Sequence, residues 1–116
     1  MAAGALLIGG IGSVDAANWY TVGTDSNGVT WSIDNDSVKK DDKKAVMDIK
    51  AMDYEGYHYI VTEEFNHKKR EVKDLKVTLY NPQGYVVKEE QVNKDSRKVE
   101  PGTPAYAVFQ LIWGGK

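Results

Sequence analysis

The sequence contains no cysteine. It therefore has no disulfide framework, no thiolate zinc site, no thiol nucleophile and no cysteine-linked lipid anchor. It also lacks a surplus of either charge, because 15 lysines and arginines stand against 17 aspartates and glutamates. A nucleic-acid-binding domain needs a basic surplus to neutralise phosphates, so this balance argues against nucleic acid as a partner.

No charged residue occurs in Ala2–Val14, which consists of small and apolar residues. This stretch is too short for a stable membrane span, which needs about 20 apolar residues, but it matches the apolar core of a secretory signal peptide. Cleavage after Ala16 would leave small residues at the two positions that define a signal-peptide cleavage site, Val14 at −3 and Ala16 at −1. We predict a signal peptide over residues 1–17, truncated at its start because no basic residue precedes the apolar run.

An N-terminal helix or strand packed on the core is the alternative interpretation of this stretch. Four glycines within Gly4–Gly12 weaken both kinds of element, so the signal peptide is favoured. We therefore expect an exported protein, located in the periplasm or on the cell surface, whose folded part comprises residues 18–116.

Residues 18–116 are enough for one domain with one modest core. Apolar and polar residues alternate with a period of two between turn signals, which predicts half-buried strands. The turn signals are Asn-Gly at 27–28, Glu-Gly at 55–56 and Asn-Pro-Gln-Gly at 81–84. The predicted strands span residues 19–24, 29–34, 45–54, 57–65, 75–80 and 85–92, and residues 66–74 are expected to form a charged connection.

The end of the chain has a helical period instead. Thr103 can cap a helix and Pro104 suits its first turn. Four apolar residues then share one face, Ala105, Val108, Phe109 and Ile112. The sequence therefore predicts an α+β fold, in which an antiparallel sheet of about six strands carries one C-terminal helix packed on it.

No arrangement of side chains indicates catalysis, a cofactor or a metal ion. The two histidines lack metal-ligand spacing, and the serines lie in no nucleophile motif. Glu63 and Glu64 are neighbours on a strand and point to opposite faces, so they do not converge on one substrate atom, and we expect them on a solvated face. We predict a protein that is not an enzyme; a buried carboxyl or histidine with a shifted pKa in a pocket would be the signature of one.

Two groups of residues are candidates for partner binding. The basic run Lys68, Lys69 and Arg70 is either a patch for an acidic partner or, because acidic residues are interleaved with it, simply a soluble surface. Tyr57 and Tyr59 share a strand face and either pack at the edge of the core or form a stacking surface, which exposure would favour. An uncovered sheet edge could also pair with a second copy, giving a homodimer.

The order of these segments resembles the bacterial surface-adhesin E-like domain family. Residues 19–54 are similar to its first half, with a Trp-led strand, a hairpin, an Ile-Asp ending and a Ser-Val turn. Residues 70–92 look like its central hairpin, and residues 99–113 look like its closing Pro-Gly-Ser/Thr-Pro helix. Many relatives carry a cysteine pair, which this sequence lacks.

The resemblance implies an exported bacterial envelope or surface protein with a non-enzymatic binding role. The partner would be a protein, either a host matrix or serum protein such as laminin or vitronectin, or an envelope protein. The alternative is a periplasmic accessory or inhibitor domain that binds an envelope enzyme. No binding residue of the family can be carried over, because fold alone does not convey function.

Overall fold

The alternating segments form strands of one antiparallel sheet, followed by a helix. The computed structural model describes residues 17–91 and 95–114. The signal peptide predicted over residues 1–17 lies, except for its last residue, outside these described residues. Within them the strands are β1 Trp19–Thr24, β2 Thr30–Asp34, β3 Lys39–Lys40, β4 Lys44–Met52, β5 His58–Asn66, β6 Glu71–Tyr80, β7 Val86–Gln91 and β8 Arg97–Lys98, and the helix is α1 Pro104–Trp113.

The main path of the sheet is β1-β2-β4-β5-β6-β7, so successive long strands are neighbours. The short strand β3 pairs with β4, and β8 pairs with β6. The predicted antiparallel sheet with a C-terminal helix is confirmed, but the described residues contain eight strands rather than about six. Two-residue strands such as β3 and β8 are too short to carry a period, so the alternation could not predict them.

Strand β6 begins earlier than the sequence predicts. Residues 71–74 were expected in a charged connection, but they pair with the end of β5. Val72 lies opposite Phe65, and both side chains are buried. One extra residue, Leu75, forms a β-bulge that interrupts the alternation, because Thr62 pairs with Lys76 while Glu63 pairs with Asp74.

The core lies between one face of the sheet and α1. It consists of Ile33, Ala45, Met47, Ile49, Phe65 and Val72 from the strands, with Val108, Phe109 and Ile112 from the helix. The predicted helix start is confirmed, since the Thr103 hydroxyl accepts a hydrogen bond from the Tyr106 N–H at 3.2 Å. Gly114 ends the helix in the left-handed conformation, φ +65°.

Two long-range hydrogen bonds hold the end of the helix against β3 and the loop that follows it. Lys40 Nζ donates to the Ile112 carbonyl at 2.7 Å, and Trp113 Nε1 donates to the Asp41 carbonyl at 3.1 Å. A lysine at this position also complements the partial negative charge of a helix C-terminus. These two bonds therefore fix the C-terminal end of α1 on the sheet.

Within the described ranges 17–91 and 95–114, no helix has both the length and the apolar character needed to cross a membrane.

Candidate functional site

The predicted basic run occupies the turn between β5 and β6, and all three of its side chains are exposed. Arg70 has φ +53° and its guanidinium carbon lies 5.3 Å from the centroid of the Phe109 ring, so it packs on the helix. The Arg70 carbonyl accepts a hydrogen bond from the Val99 N–H at 2.9 Å. Arg70 therefore contributes to packing, while Lys68 and Lys69 project from the turn.

Tyr57 and Tyr59 lie at the other end of β5. Their exposed fractions are 44% and 48%, which favours a stacking surface over packing at the edge of the core. Asn66, where the basic turn begins, lies seven positions after Tyr59, which corresponds to about 23 Å along a strand. The structure does not bring the two predicted groups together.

Further exposed aromatic residues surround these two. The turn between β4 and β5 and the turn between β6 and β7 pack side by side, because a Cβ placed on Gly56 would lie 3.1 Å from Pro82 Cβ. Gly56 has φ +98°, which a side chain would strain. We call the four exposed tyrosines at this end of the sheet the tyrosine surface; they are Tyr54, Tyr57, Tyr59 and Tyr85.

Glu63 was expected on a solvated face, but the structure buries it. Its exposed fraction is 8%, and it lies on the same face of β5 as the buried Phe65. Asp74 is its cross-strand neighbour on β6. Arg97 from β8 bridges the two carboxylates, donating from Nη2 to Glu63 Oε2 at 3.0 Å and from Nη1 to Asp74 Oδ1 at 3.2 Å. We call these three residues the carboxylate cluster.

Burial is the main cause of a large rise in the pKa of Glu63. Desolvation, the hydrogen bond with Asp74 and the negative charge of Asp74 together raise the pKa of Glu63 from 4.5 to about 8, although Arg97 opposes the change. At neutral pH Glu63 is therefore mostly protonated, and the carboxylate pair holds one proton. The cluster then contains one negatively charged carboxylate and one positively charged guanidinium, so its net charge is zero.

The cluster lies at the base of a cleft of about 550 Å³ between the sheet and the start of α1. The apolar walls of the cleft are formed by Trp31, Ile49, Val61, Pro104, Ala105 and Val108. The Asp25 carboxylate holds the Trp31 ring in place by accepting a hydrogen bond from Nε1 at 3.1 Å, and this bond is the main reason that the pKa of Asp25 is lowered. The cleft thus combines an apolar wall with a charged base, as small-molecule sites commonly do.

A buried carboxyl with a raised pKa in a cleft is also a signature of enzyme active sites. Here Arg97 engages both carboxylates, and no histidine or serine lines the cleft. Among residues 17–91 and 95–114, no group of three or more histidine, aspartate and glutamate side chains could hold a metal ion. The arrangement holds charge in an apolar environment, and the lining of the cleft also includes the side chains of Lys98 and Thr103.

The opposite face of the sheet carries a second, polar cleft of about 490 Å³. Some of the polar side chains at this cleft are paired: Thr62 Oγ1 donates a hydrogen bond to Asp48 Oδ1 at 2.7 Å, and Lys76 Nζ lies 3.0 Å from Glu89 Oε2.

The two histidines have packing roles. His58 stacks on Tyr80, and His67 stacks on Trp113 with ring centroids 4.3 Å apart.

The carboxylate cluster could be predicted only in part. Side chains two positions apart on a strand share a face, so Glu63 lies on the same face of β5 as Val61 and Phe65. This spacing was the sequence feature that could have predicted that Glu63 faces the core. Asp74 gave no such signal because the bulge at Leu75 breaks the alternation. Arg97 belongs to a strand of only two residues, which is too short to show an alternation.

Comparison of the chain with models of protein families, with curated proteins and with solved structures gives no match. The resemblance to the adhesin E-like domain therefore stays a prediction that depends on residues 19–54, 70–92 and 99–113.

Proposed function

We propose that this protein is an exported, non-enzymatic binding protein of the bacterial envelope that contacts a protein partner through the tyrosine surface. The observation that supports this most directly is the exposure of four tyrosines at one end of the sheet, of which Tyr54 and Tyr85 are 86% and 71% exposed. Tyrosine is enriched in protein interfaces because it offers a large apolar area, a hydroxyl and few rotatable bonds.

The rest of the proposal follows the family resemblance. It makes host matrix or serum proteins, such as laminin and vitronectin, the first partners to test, and places the protein in the periplasm or on the surface. The carboxylate cluster is compatible with a binding role, because Arg97 engages both of its carboxylates.

Binding of the full chain to immobilised laminin and vitronectin, measured by surface plasmon resonance, tests the partner. We expect the double variant Tyr57→Ser/Tyr59→Ser to weaken binding tenfold or more, since truncating an interface hot spot costs about 2 kcal/mol or more. The matched control is Lys68→Ala/Lys69→Ala at the far end of β5, which is expected to change affinity less than about twofold.

The control also tests the basic turn directly. A larger loss with the lysine variant than with the tyrosine variant would assign binding to the basic turn and contradict the tyrosine surface. If wild-type protein gives no response with either ligand, and a pull-down from envelope extract recovers one envelope protein, the accessory or inhibitor role replaces adhesion. If neither experiment finds a partner, the proposed binding function is wrong.

Export has a separate test. Mass spectrometry of protein recovered from the envelope or culture medium is expected to show a mature N-terminus at Ala17, because cleavage after Ala16 leaves small residues at both recognised positions. Recovery of a chain that still begins at Met1 would contradict the signal peptide.

A further inference from the structure

The face of the sheet opposite α1 carries the cleft of about 490 Å³, which we call the polar cleft. Its lining includes a row of three side chains, because Asp48 on β4 lies opposite Thr62 on β5, and Thr62 lies opposite Lys76 on β6. Neighbouring strands are about 4.8 Å apart, so this row spans about 10 Å. It places a carboxylate, a hydroxyl and an ammonium group along one line.

Thr78 also lines the polar cleft, and its hydroxyl has no partner in the described part of the chain. The residue is 5% exposed. Its hydroxyl forms no hydrogen bond within residues 17–91 and 95–114, where every fully buried polar side-chain atom has a partner. The hydroxyl oxygen therefore belongs to the small part of Thr78 that is open to the cleft. Because an unpaired hydroxyl in a buried position is costly, a ligand that bonds to it gains affinity.

Two aromatic rings line the polar cleft, one from β1 and one from β6, and a neighbouring side chain holds each of them. The Lys50 ammonium nitrogen lies 4.6 Å from the centroid of the Trp19 ring. Tyr80 stacks on His58 with ring centroids 5.1 Å apart. Rings that are already held in place offer apolar area to a ligand at a low cost in conformational entropy.

Carboxylates outnumber ammonium groups around the polar cleft, so an organic cation is the contrasting ligand. Asp34 is already engaged, because its Oδ1 accepts hydrogen bonds from the N–H groups of Asn18 and Asp36 at 2.9 and 3.0 Å. Lys76 lies within the lining and would repel a cation, while the neighbouring acids would repel an anion. A neutral ligand with several hydroxyl groups meets neither obstacle.

We propose that the polar cleft binds a neutral saccharide. Its hydroxyl groups bond to Asp48, Lys76 and Thr78, and its C–H faces pack on the two aromatic rings. Each sugar hydroxyl is both a donor and an acceptor, so adjacent hydroxyls meet a carboxylate, an ammonium group and a hydroxyl without a change of charge. The combination of apolar surface with a few placed polar groups is typical of small-molecule sites. This site is separate from the tyrosine surface.

The proposal rests on the proposed export in one respect. Ala17 lines the polar cleft and is the first residue of the mature chain, so the ligand is expected to bind the form from which residues 1–16 have been removed. The test therefore uses the protein as cells produce it, with its N-terminus determined by mass spectrometry. A chain that begins at Met1 contradicts export, whereas the titration below decides the saccharide proposal for the form recovered.

Three neutral disaccharides, lactose, cellobiose and N,N′-diacetylchitobiose, are titrated into the protein while the NMR signal of the Trp19 indole N–H is followed. Putrescine, a diammonium ion, and glucuronate, a sugar carboxylate, are the charged probes. We expect at least one disaccharide to shift the signal and to bind about tenfold or more tightly than either charged probe. Tighter binding of putrescine would make the cleft a cation site, and tighter binding of glucuronate an anion site. Either result, or no binding of any disaccharide, would overturn the proposal.

Thr78→Val connects the affinity to the cleft, because it removes the hydroxyl and keeps the shape of the side chain. We expect disaccharide binding to weaken about fivefold or more, the loss of one hydrogen bond. The midpoint of urea unfolding is expected not to fall, since the hydroxyl loses no partner within residues 17–91 and 95–114.

Thr21→Val is the matched control, because Thr21 is exposed on β1 and is not among the residues that line the polar cleft. Its affinity for the disaccharide is expected to stay within about twofold of the wild type, as for surface substitutions away from a site. Unchanged affinity in Thr78→Val, an equal loss in Thr21→Val, or a loss that comes only with a lowered urea midpoint would contradict the saccharide site.

Discussion

Replacing Glu63 by glutamine is expected to remove most of the loss of stability that the wild-type protein suffers between pH 5 and pH 9. Glu63 has a pKa of about 8 in the folded protein, against the ordinary value of 4.5 for a solvated glutamate. Between these two pH values the folded state therefore holds a proton that the unfolded state has released. The unfolded state therefore binds fewer protons, and the free energy of unfolding falls as the pH rises through this range. Below pH 4.5 both states are protonated, and the effect vanishes.

One pKa unit corresponds to about 1.4 kcal/mol, so the wild type is expected to lose up to about 4 kcal/mol between pH 5 and pH 9 from this group. Glutamine resembles the protonated acid, since its amide can donate to Asp74 while its oxygen accepts from Arg97. The Glu63→Gln variant is thus expected to unfold at a higher urea concentration than the wild type at pH 9, with little difference at pH 5.

Urea unfolding at several pH values measures this effect, and Glu64→Gln provides the control. Glu64 is half-buried on the other face of β5 and lies 3.9 Å from Lys44 and 4.0 Å from Lys73, so its replacement is expected to leave the pH profile of the wild type intact. Parallel profiles for the wild type and Glu63→Gln would show that Glu63 is not protonated in the folded protein.

Truncating Phe109 to alanine is expected to cost about 3–5 kcal/mol, a large part of the 5–15 kcal/mol typical of a domain. Phe109 is fully buried, and its ring packs at an angle against His67 and Trp113, with centroids 5.7 Å and 5.0 Å away. Its loss leaves a cavity under α1 and removes the surface on which the Arg70 guanidinium rests.

Leu111→Ala is the matched control for Phe109→Ala, because Leu111 lies on the same helix but is 52% exposed. Its expected effect is within about 0.5 kcal/mol, as for surface substitutions in general. The midpoints of urea unfolding compare the two variants. Equal midpoints would mean that the helix face is not anchored through Phe109.

Local chemistry explains which parts of the fold could be predicted from the sequence. The Asn-Gly turn, the Asn-Pro-Gln-Gly turn and the Thr103 cap depend on residues within one turn of each other, and the structure has all three. The alternation over residues 45–54 also predicted a half-buried strand, and the structure has β4 there with Ala45, Met47 and Ile49 buried on one face. Such features need no information about distant parts of the chain.

The tertiary structure alone decided the chemistry of the cleft. Arg97 meets Glu63 across 34 positions of sequence, and it does so because β8 pairs with the start of β6, before the bulge at Leu75. The same packing that buries Phe65 desolvates Glu63, which changes an ordinary surface acid into a protonated one. By itself the sequence determined the longer strands, the turns and the helix of this protein, but not β3, β8 or the start of β6. Burial and charge pairing depend on what the folded chain brings together, and they decided the surroundings of Glu63.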